Sequence, residues 1–146
     1  MNGIRDYLSP LARVFLAAVF IVSGFAKIGE YEATAAYMES QGVPGLLLPL
    51  VILTEVGGGL MVVLGWHART AALLLAGFSL LSGILFHLVP AMEASGAEQI
   101  GQMAHFWKNT AIAGGMLLIV ANGPGLFSME KTPYGEPERD DESKWS

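Results

Sequence analysis

Cysteine is absent from this chain of 146 residues, and charged side chains are scarce. Without cysteine the chain cannot form disulfides, iron–sulfur clusters, thiolate metal sites or a covalently attached c-type haem. Only 14% of the residues are charged and 53% are hydrophobic, whereas ordinary soluble domains are about 25% charged. The sequence also has no run of basic residues, so no nucleic-acid partner is expected. The few charges in this apolar chain therefore carry most of the information about its function.

Four apolar segments account for most of the chain, and each approaches the roughly 20 residues that cross a bilayer as a helix. They cover residues 8–28, 45–66, 68–89 and 104–121. A soluble helical bundle is the alternative, but soluble helices carry regular charges along one face and these segments do not. The sequence therefore predicts an all-α integral membrane protein, with a four-helix bundle formed by residues 1–125. Residues 126–146 are predicted to form a charged cytoplasmic tail.

Positive charges indicate how the spans are oriented. With four spans, most lysines and arginines fall on one side of the membrane, whereas the loops on the other side, 29–44 and 90–103, have only glutamates as charged residues. Because positive loops stay in the cytoplasm, both termini are predicted to be cytoplasmic in a bacterial inner membrane. In the first loop, the helical spacing of Tyr31, Ala35 and Met38 predicts a short interfacial helix.

Glu55 is the most informative residue, because it lies near the middle of the second span. At the helical rise per residue it is roughly 15 Å deep, where an unpaired carboxylate is costly. Helical side chains lean toward the N-terminus of their own helix, so Glu55 leans outward and Lys27, in the first span, leans inward. The sequence therefore predicts a Lys27–Glu55 ion pair, direct or through water. Arg13 leans the other way and is predicted to extend to the inner interface.

Four more polar residues gather at the outer level of the membrane, at the end of the third span and the start of the fourth. They are His87, His105, Lys108 and Asn109. These four are predicted to bind a substrate, with Glu55 and Lys27 as the catalytic pair. Alternatively, the lysines only anchor span ends and the histidines have no special role. The spacing of the histidines does not require a haem or copper, and no metal site is predicted.

Short motifs follow one another along the chain in a definite order and spacing. They are SGFAKI at 23–28, GVP at 42–44, EVGG at 55–58, HFWKN at 105–109 and GG at 114–115. In this order, from about residue 11 to residue 121, the chain resembles the DoxX family of small four-span membrane proteins. Because some members are subunits of a thiosulfate:quinone oxidoreductase, the resemblance implies an inner-membrane subunit linked to a respiratory or redox complex.

Quinone is the one cofactor that the resemblance suggests, and no intrinsic cofactor is expected. Lysine, histidine and asparagine side chains suit hydrogen bonds to quinone carbonyl oxygens, and Glu55 suits a proton relay. Because the chain has no motif for an electron carrier, electrons must come from a redox partner subunit or from the substrate. Whether the chain is itself an enzyme stays open.

Two other functions remain open beside the quinone-linked one. In the first, the protein is a non-catalytic structural or assembly subunit, and the buried ion pair only fixes helix register. In the second, it is a small transporter, which requires a homo-oligomer because four spans enclose little lumen. In all three cases the lipid bilayer is the immediate surrounding of the chain.

Overall fold

A computed structural model describes residues 3–130, apart from the side chain of Arg5, and every regular element in that range is helical. The α-helices are α1 (Gly3–Gly29), α2 (Tyr31–Ser40), α3 (Leu48–Leu64), α4 (Ala68–Gly83), α5 (Val89–Glu93) and α6 (Gly96–Asn122). A 3₁₀ turn, Gly45–Leu47, leads into α3, and a π-helical segment, Ile84–Leu88, joins α4 to α5. The predicted all-α class is confirmed for the described residues.

Within residues 3–130, three helical stretches are long and apolar enough to cross a membrane. They are Asp6–Gly29, Gly45–Leu64 and Ala68–Glu93, and they correspond to the first three predicted spans. Helix α6 has the same length as α1, 27 residues. It is not among the three, since His105, Lys108 and Asn109 make its first half polar. The fourth span therefore stays a prediction.

The long helices pack side by side in the order α1, α3, α4 and α6. Small residues along α4 form much of the shared core, which lets the neighbouring helices approach closely. The buried core residues are Ala17, Phe20, Val62, Ala68, Ala71, Ala72, Leu75, Ala76, Ala113, Met116 and Ile119. Outside this core, large apolar side chains such as Leu53, Leu74 and Leu118 are largely exposed. Such a surface suits lipid rather than water as the solvent.

Arg13 lies at the end of this assembly that carries the predicted cytoplasmic loop. Its side chain is only 2% exposed, and its Nη2 donates to the carbonyl oxygens of Leu126, at 3.1 Å, and Phe127, at 2.8 Å. Arg13 therefore points toward the predicted end of the bundle, but its guanidinium is buried under residues 126–127 instead of extending to the surface. Carbonyl groups beyond the end of α6 have no helical partner, and they provide acceptors for the guanidinium inside the protein.

Residues 123–130 fold back across this end of the helices. The Ser9 hydroxyl donates to the Pro124 carbonyl at 2.6 Å, and the Met129 N–H donates to the Leu64 carbonyl at 3.0 Å. Residues 126–130, which the sequence assigned to the tail, are thus packed against the helices. The rest of the predicted tail, residues 131–146, lies outside the described residues.

Gly65 makes the close packing at this end feasible. It ends α3 in the left-handed region, at φ 67°, where a glycine has no steric cost. A Cβ atom at this position would collide with the guanidinium of Arg13 and with Ser128. Gly65 therefore serves two features at once: it allows the turn between α3 and α4, and it leaves space for the segment 123–130.

Helix α2 occupies the first loop, where the sequence predicted a short helix. Its Met38 is buried, and its Tyr37 ring lies 5.8 Å from the ring of Phe86, between centroids. The helix thus packs against the π-helical segment rather than standing apart from the other helices. Its placement at a membrane interface stays a prediction.

Candidate ligand-binding site

The predicted ion pair between α1 and α3 is formed. Lys27 Nζ lies 2.9 Å from Oε2 and 3.0 Å from Oε1 of Glu55. Glu55 itself is only 4% exposed. Ser23 completes the contact, because its hydroxyl accepts from Lys27 at 2.6 Å and donates to Glu55 Oε1 at 3.2 Å. The carboxylate is therefore held by an ammonium and a hydroxyl from successive turns of one helix.

Gly24 explains how α1 and α3 come close enough for this contact. A Cβ atom on Gly24 would lie 2.5 Å from Cγ2 of Val56 and 3.3 Å from Cβ of Glu55. Any side chain at this position would push the two helices apart. The glycine between Ser23 and Lys27 therefore fixes the distance across which both residues reach Glu55.

One oxygen of the Glu55 carboxylate has spare hydrogen-bonding capacity. Oε2 is in ionic contact with Lys27 Nζ, but among the described residues it accepts no well-directed hydrogen bond. Glu55 also lines a cavity between the described helices. A buried acceptor of this kind is costly unless something else satisfies it. The cavity beside Glu55 is where a ligand or a water would do so.

A second polar cluster lies where the π-helical segment meets α6. His87 Nδ1 is 2.8 Å from Gln102 Oε1, and Lys108 Nζ is 3.0 Å from His105 Nδ1. The two imidazole rings are stacked, with centroids 5.0 Å apart and planes at 27°. Stacked rings do not direct their nitrogens at one common point, so this geometry gives no shared metal position.

Pro90 accounts for the irregular backbone near His87. It has no N–H to donate to the carbonyl of Phe86 four residues earlier, so a regular α-helix cannot continue through this point. The chain forms a wider turn instead, in which the Val89 N–H bonds to the Ile84 carbonyl. The Tyr37 hydroxyl lies 3.4 Å from the Phe86 carbonyl and partly replaces the missing donor. π-helical turns of this kind are frequent at functional sites.

The two clusters face a common cavity of about 460 Å³, which lies between α1, α2, α3, α4 with its π-helical extension, and α6. This volume is within the range of small-molecule sites, roughly 300–1,000 Å³. Five of the six predicted site residues line it: Lys27, Glu55, His87, Lys108 and Asn109. His105 does not, although it contacts His87 and Lys108. The chemical roles assigned to all six stay predictions.

Three contributors to this site are missing from the sequence-based set. Ser23 is one helical turn before Lys27, and that spacing was a usable signal. Gln102 fell in a predicted loop, because α6 begins at Gly96 rather than near residue 104. Tyr37 gave no signal, since nothing in the pattern of the first loop shows that α2 forms a wall of the cavity.

The structure defines a small helical membrane protein with an apolar cavity that carries charged and polar groups on two of its walls. The profile of the DoxX family matches residues 9–88. The chain is 43% identical over 131 residues to the inner membrane protein YqjF of Escherichia coli K12, covering 90% of this chain and 95% of YqjF. It is 33% identical over 130 residues to the inner membrane protein YphA of the same organism, covering 87% and 91%. No solved structure gives a significant match. The chain belongs to the DoxX family.

A double-mutant cycle tests the ion pair. Lys27→Met and Glu55→Gln should each lower the free energy of unfolding in detergent, because each leaves one polar partner unmatched. With the Lys27 side chain 25% exposed, the loss should be about 2 kcal/mol, below the roughly 3–5 kcal/mol of fully buried pairs. The double variant should lose less than the sum, by about 1 kcal/mol or more. Additive losses would contradict the pairing, and the exposed Glu32→Gln is the control.

Proposed function

We propose that this protein is an inner-membrane subunit of a respiratory or redox complex and binds a quinone in the cavity described above. The supporting observation is the combination of an apolar cavity of about 460 Å³ with charged groups from α1 and α3 on one side and from α6 on the other. A quinone head group is a planar ring with carbonyl oxygens on opposite sides. It therefore requires apolar walls and donors from two directions.

The donors and the walls of the cavity suit that head group. Lys27 on α1 and Lys108 with Asn109 on α6 supply N–H groups from two helices that are not neighbours in the packing order. Phe78 and Phe86 line the same space and offer ring faces to a planar ligand. The cavity thus combines donors from two helices with aromatic walls, as a quinone ring requires.

The cavity also opens toward the apolar surface of the protein. Leu50 on α3 and Leu81 on α4 line it, and they are 60% and 58% exposed. A cavity with a rim of exposed leucines receives a lipid-soluble ligand from the bilayer more readily than a water-soluble one. The isoprenoid tail of a quinone would remain in lipid while its head group enters.

Glu55 and Lys27 are assigned the proton chemistry of the site. Reduction of a quinone adds protons at its oxygens, and a carboxylate with an unsatisfied oxygen beside an ammonium suits transfer of a proton. Electron transfer is assigned to a redox partner subunit, because the cysteine-free chain has no thiolate to hold an electron carrier.

Ligand protection of a single cysteine tests quinone binding. Because the chain has no cysteine, Ser82→Cys places one thiol on the cavity wall, and the matched Ser40→Cys places one on α2 outside the cavity. Saturating decylubiquinone should slow maleimide labelling of Ser82→Cys by roughly tenfold and leave Ser40→Cys unchanged. Adding Lys27→Met, which removes the donor on the α1 side, should raise the quinone concentration needed by about tenfold, the value of one strong hydrogen bond.

An unchanged labelling rate at Ser82→Cys would remove the quinone proposal. Equal slowing at both positions would show only that quinone enters the micelle. If Lys27→Met lowers stability without changing protection, the ion pair is structural, as in the assembly-subunit alternative.

We propose further that α6 is the fourth span, that both termini are cytoplasmic and that α2 lies at the outer interface. Helix α6 packs along α4 over most of its length, and it has no charged residue after Lys108. The glutamates at 30, 32, 39, 93 and 98 lie before or in α2, in α5 and in the first turn of α6, all near the cavity end, whereas Arg13 and Arg69 are at the other end. This distribution follows the positive-inside rule.

Labelling of intact cells with a membrane-impermeant maleimide tests this topology. Ser95→Cys, between α5 and α6, should react once the outer membrane is opened. Asn122→Cys, at the end of α6, should react only after the inner membrane is broken. Reaction of both from the outside would show that α6 does not cross the membrane, and reaction of Asn122→Cys alone would reverse the orientation.

A further inference from the structure

The hydrogen bond between His87 and Gln102 determines which nitrogen of the imidazole carries the proton. His87 Nδ1 lies 2.8 Å from Gln102 Oε1, and an amide oxygen only accepts hydrogen bonds. Nδ1 therefore carries the hydrogen, and in the neutral ring Nε2 has the free lone pair. No described residue hydrogen-bonds Nε2, and His87 lines the cavity. The ring nitrogen left for a ligand is an acceptor.

His105 is in the opposite tautomer and supports the ring of His87. Lys108 Nζ lies 3.0 Å from His105 Nδ1, and an ammonium only donates hydrogen bonds, so Nδ1 of His105 has the lone pair. The stacked rings, 5.0 Å apart, restrict the rotation of His87 about its side-chain bonds. Gln102 thus keeps the proton of His87 on Nδ1, and the stacked ring of His105 holds the imidazole plane of His87.

We propose that His87 accepts a hydrogen bond at Nε2 from an aromatic hydroxyl group bound in the cavity, and that Gln102 is the positioning residue that keeps Nε2 unprotonated. The proposal deepens the proposed function and rests on the same cavity. The ligands assigned to the cavity are phenols and hydroquinones. A site that only donates hydrogen bonds to carbonyl oxygens would not favour them.

The chemistry of the cavity supports a hydroxyl-bearing ligand. Its lysines only donate, whereas an O–H group needs an acceptor. Two acceptors that line the cavity have no well-directed hydrogen bond among the described residues, Glu55 Oε2 and Nε2 of His87. The Glu55 oxygen is already in ionic contact with Lys27, so Nε2 of His87 is the neutral acceptor left for a hydroxyl group. Tyr37 and Phe86 lie beside His87 on the same wall, which provides ring faces for an aromatic ligand.

Nitrogen-15 NMR of the full chain tests the tautomer directly. The chain has only three histidines, so histidine labelling with His67→Phe, His87→Phe and His105→Phe variants assigns every signal. His87 should show the Nδ1–H tautomer and His105 the Nε2–H tautomer. Gln102→Leu should remove the preference at His87, and Gln102→Glu, which still accepts a hydrogen bond, should keep it. A wild-type His87 with its proton on Nε2 would overturn the proposal without any ligand.

Binding of a 4-alkylphenol and of its methyl ether tests the ligand class. The two probes differ by the hydroxyl hydrogen, so the phenol should bind roughly tenfold more tightly, as expected for one buried hydrogen bond. His87→Phe and Gln102→Leu should abolish this difference, and Gln102→Glu should retain it. His67→Phe, which changes a histidine at the other end of the protein, should leave the difference intact and serves as the control.

The outcomes separate this proposal from the quinone proposal. A phenol preference that depends on His87, without protection of Ser82→Cys by quinone, would support the hydroxyl site and remove the quinone. Equal affinity for the phenol and the ether, no binding of either, or a preference that persists in both His87→Phe and Gln102→Leu would overturn the hydroxyl site. If Gln102→Leu does not fold, the wild-type spectrum and His87→Phe still decide.

Discussion

A carboxylate buried among apolar side chains is the constraint on which the site depends. Glu55 is 4% exposed in the middle of α3, and Lys27 with Ser23 compensates its charge from one face of α1. This arrangement requires a close approach of α1 and α3, which is possible because Gly24 has no side chain to collide with Val56 and Glu55. An ionised pair in such surroundings costs desolvation, and replacing it by apolar groups is often neutral or stabilising. Stability alone therefore gives no reason for the ion pair, and this is why the proposed function assigns it a role in ligand binding at the adjoining cavity.

The opposite wall of the cavity is built by different means. There, Pro90 interrupts the regular helix, the π-helical segment carries His87, and α6 supplies Lys108 and Asn109. Gln102 and His105, also on α6, contact His87 without lining the cavity. Helix α2 closes the space through Tyr37 and Met38. The DoxX profile ends at residue 88 and so includes Lys27, Glu55 and His87 but not α6. The alignments with YqjF and YphA, over 131 and 130 residues, must extend beyond that point.

The ion pair could be predicted from the sequence, because depth in a span and the lean of helical side chains depend on local geometry alone. The same reasoning gave the direction of Arg13 but not its burial, because its acceptors are carbonyl groups more than 100 positions later in the chain. It also missed Gln102 and Tyr37. Gln102 lies in a segment that was predicted to be a loop, and Tyr37 is not one of the residues whose spacing predicted α2, so only tertiary contacts show what these side chains meet. Contacts within one helix or between predicted spans were thus accessible to sequence reasoning, and contacts made by connecting segments were not.

The central claim is that Lys27 donates a hydrogen bond to a ligand in the cavity while the Glu55 carboxylate holds the ammonium in place, so that binding changes the surroundings of the carboxylate. Difference infrared spectroscopy of the protein in lipid, with and without decylubiquinone, measures this most directly. The account predicts that ligand binding shifts a carboxylate band, that Glu55→Gln removes this shift, and that the exposed Glu32→Gln leaves it unchanged. A quinone that binds with no change in the Glu55 band would contradict the account.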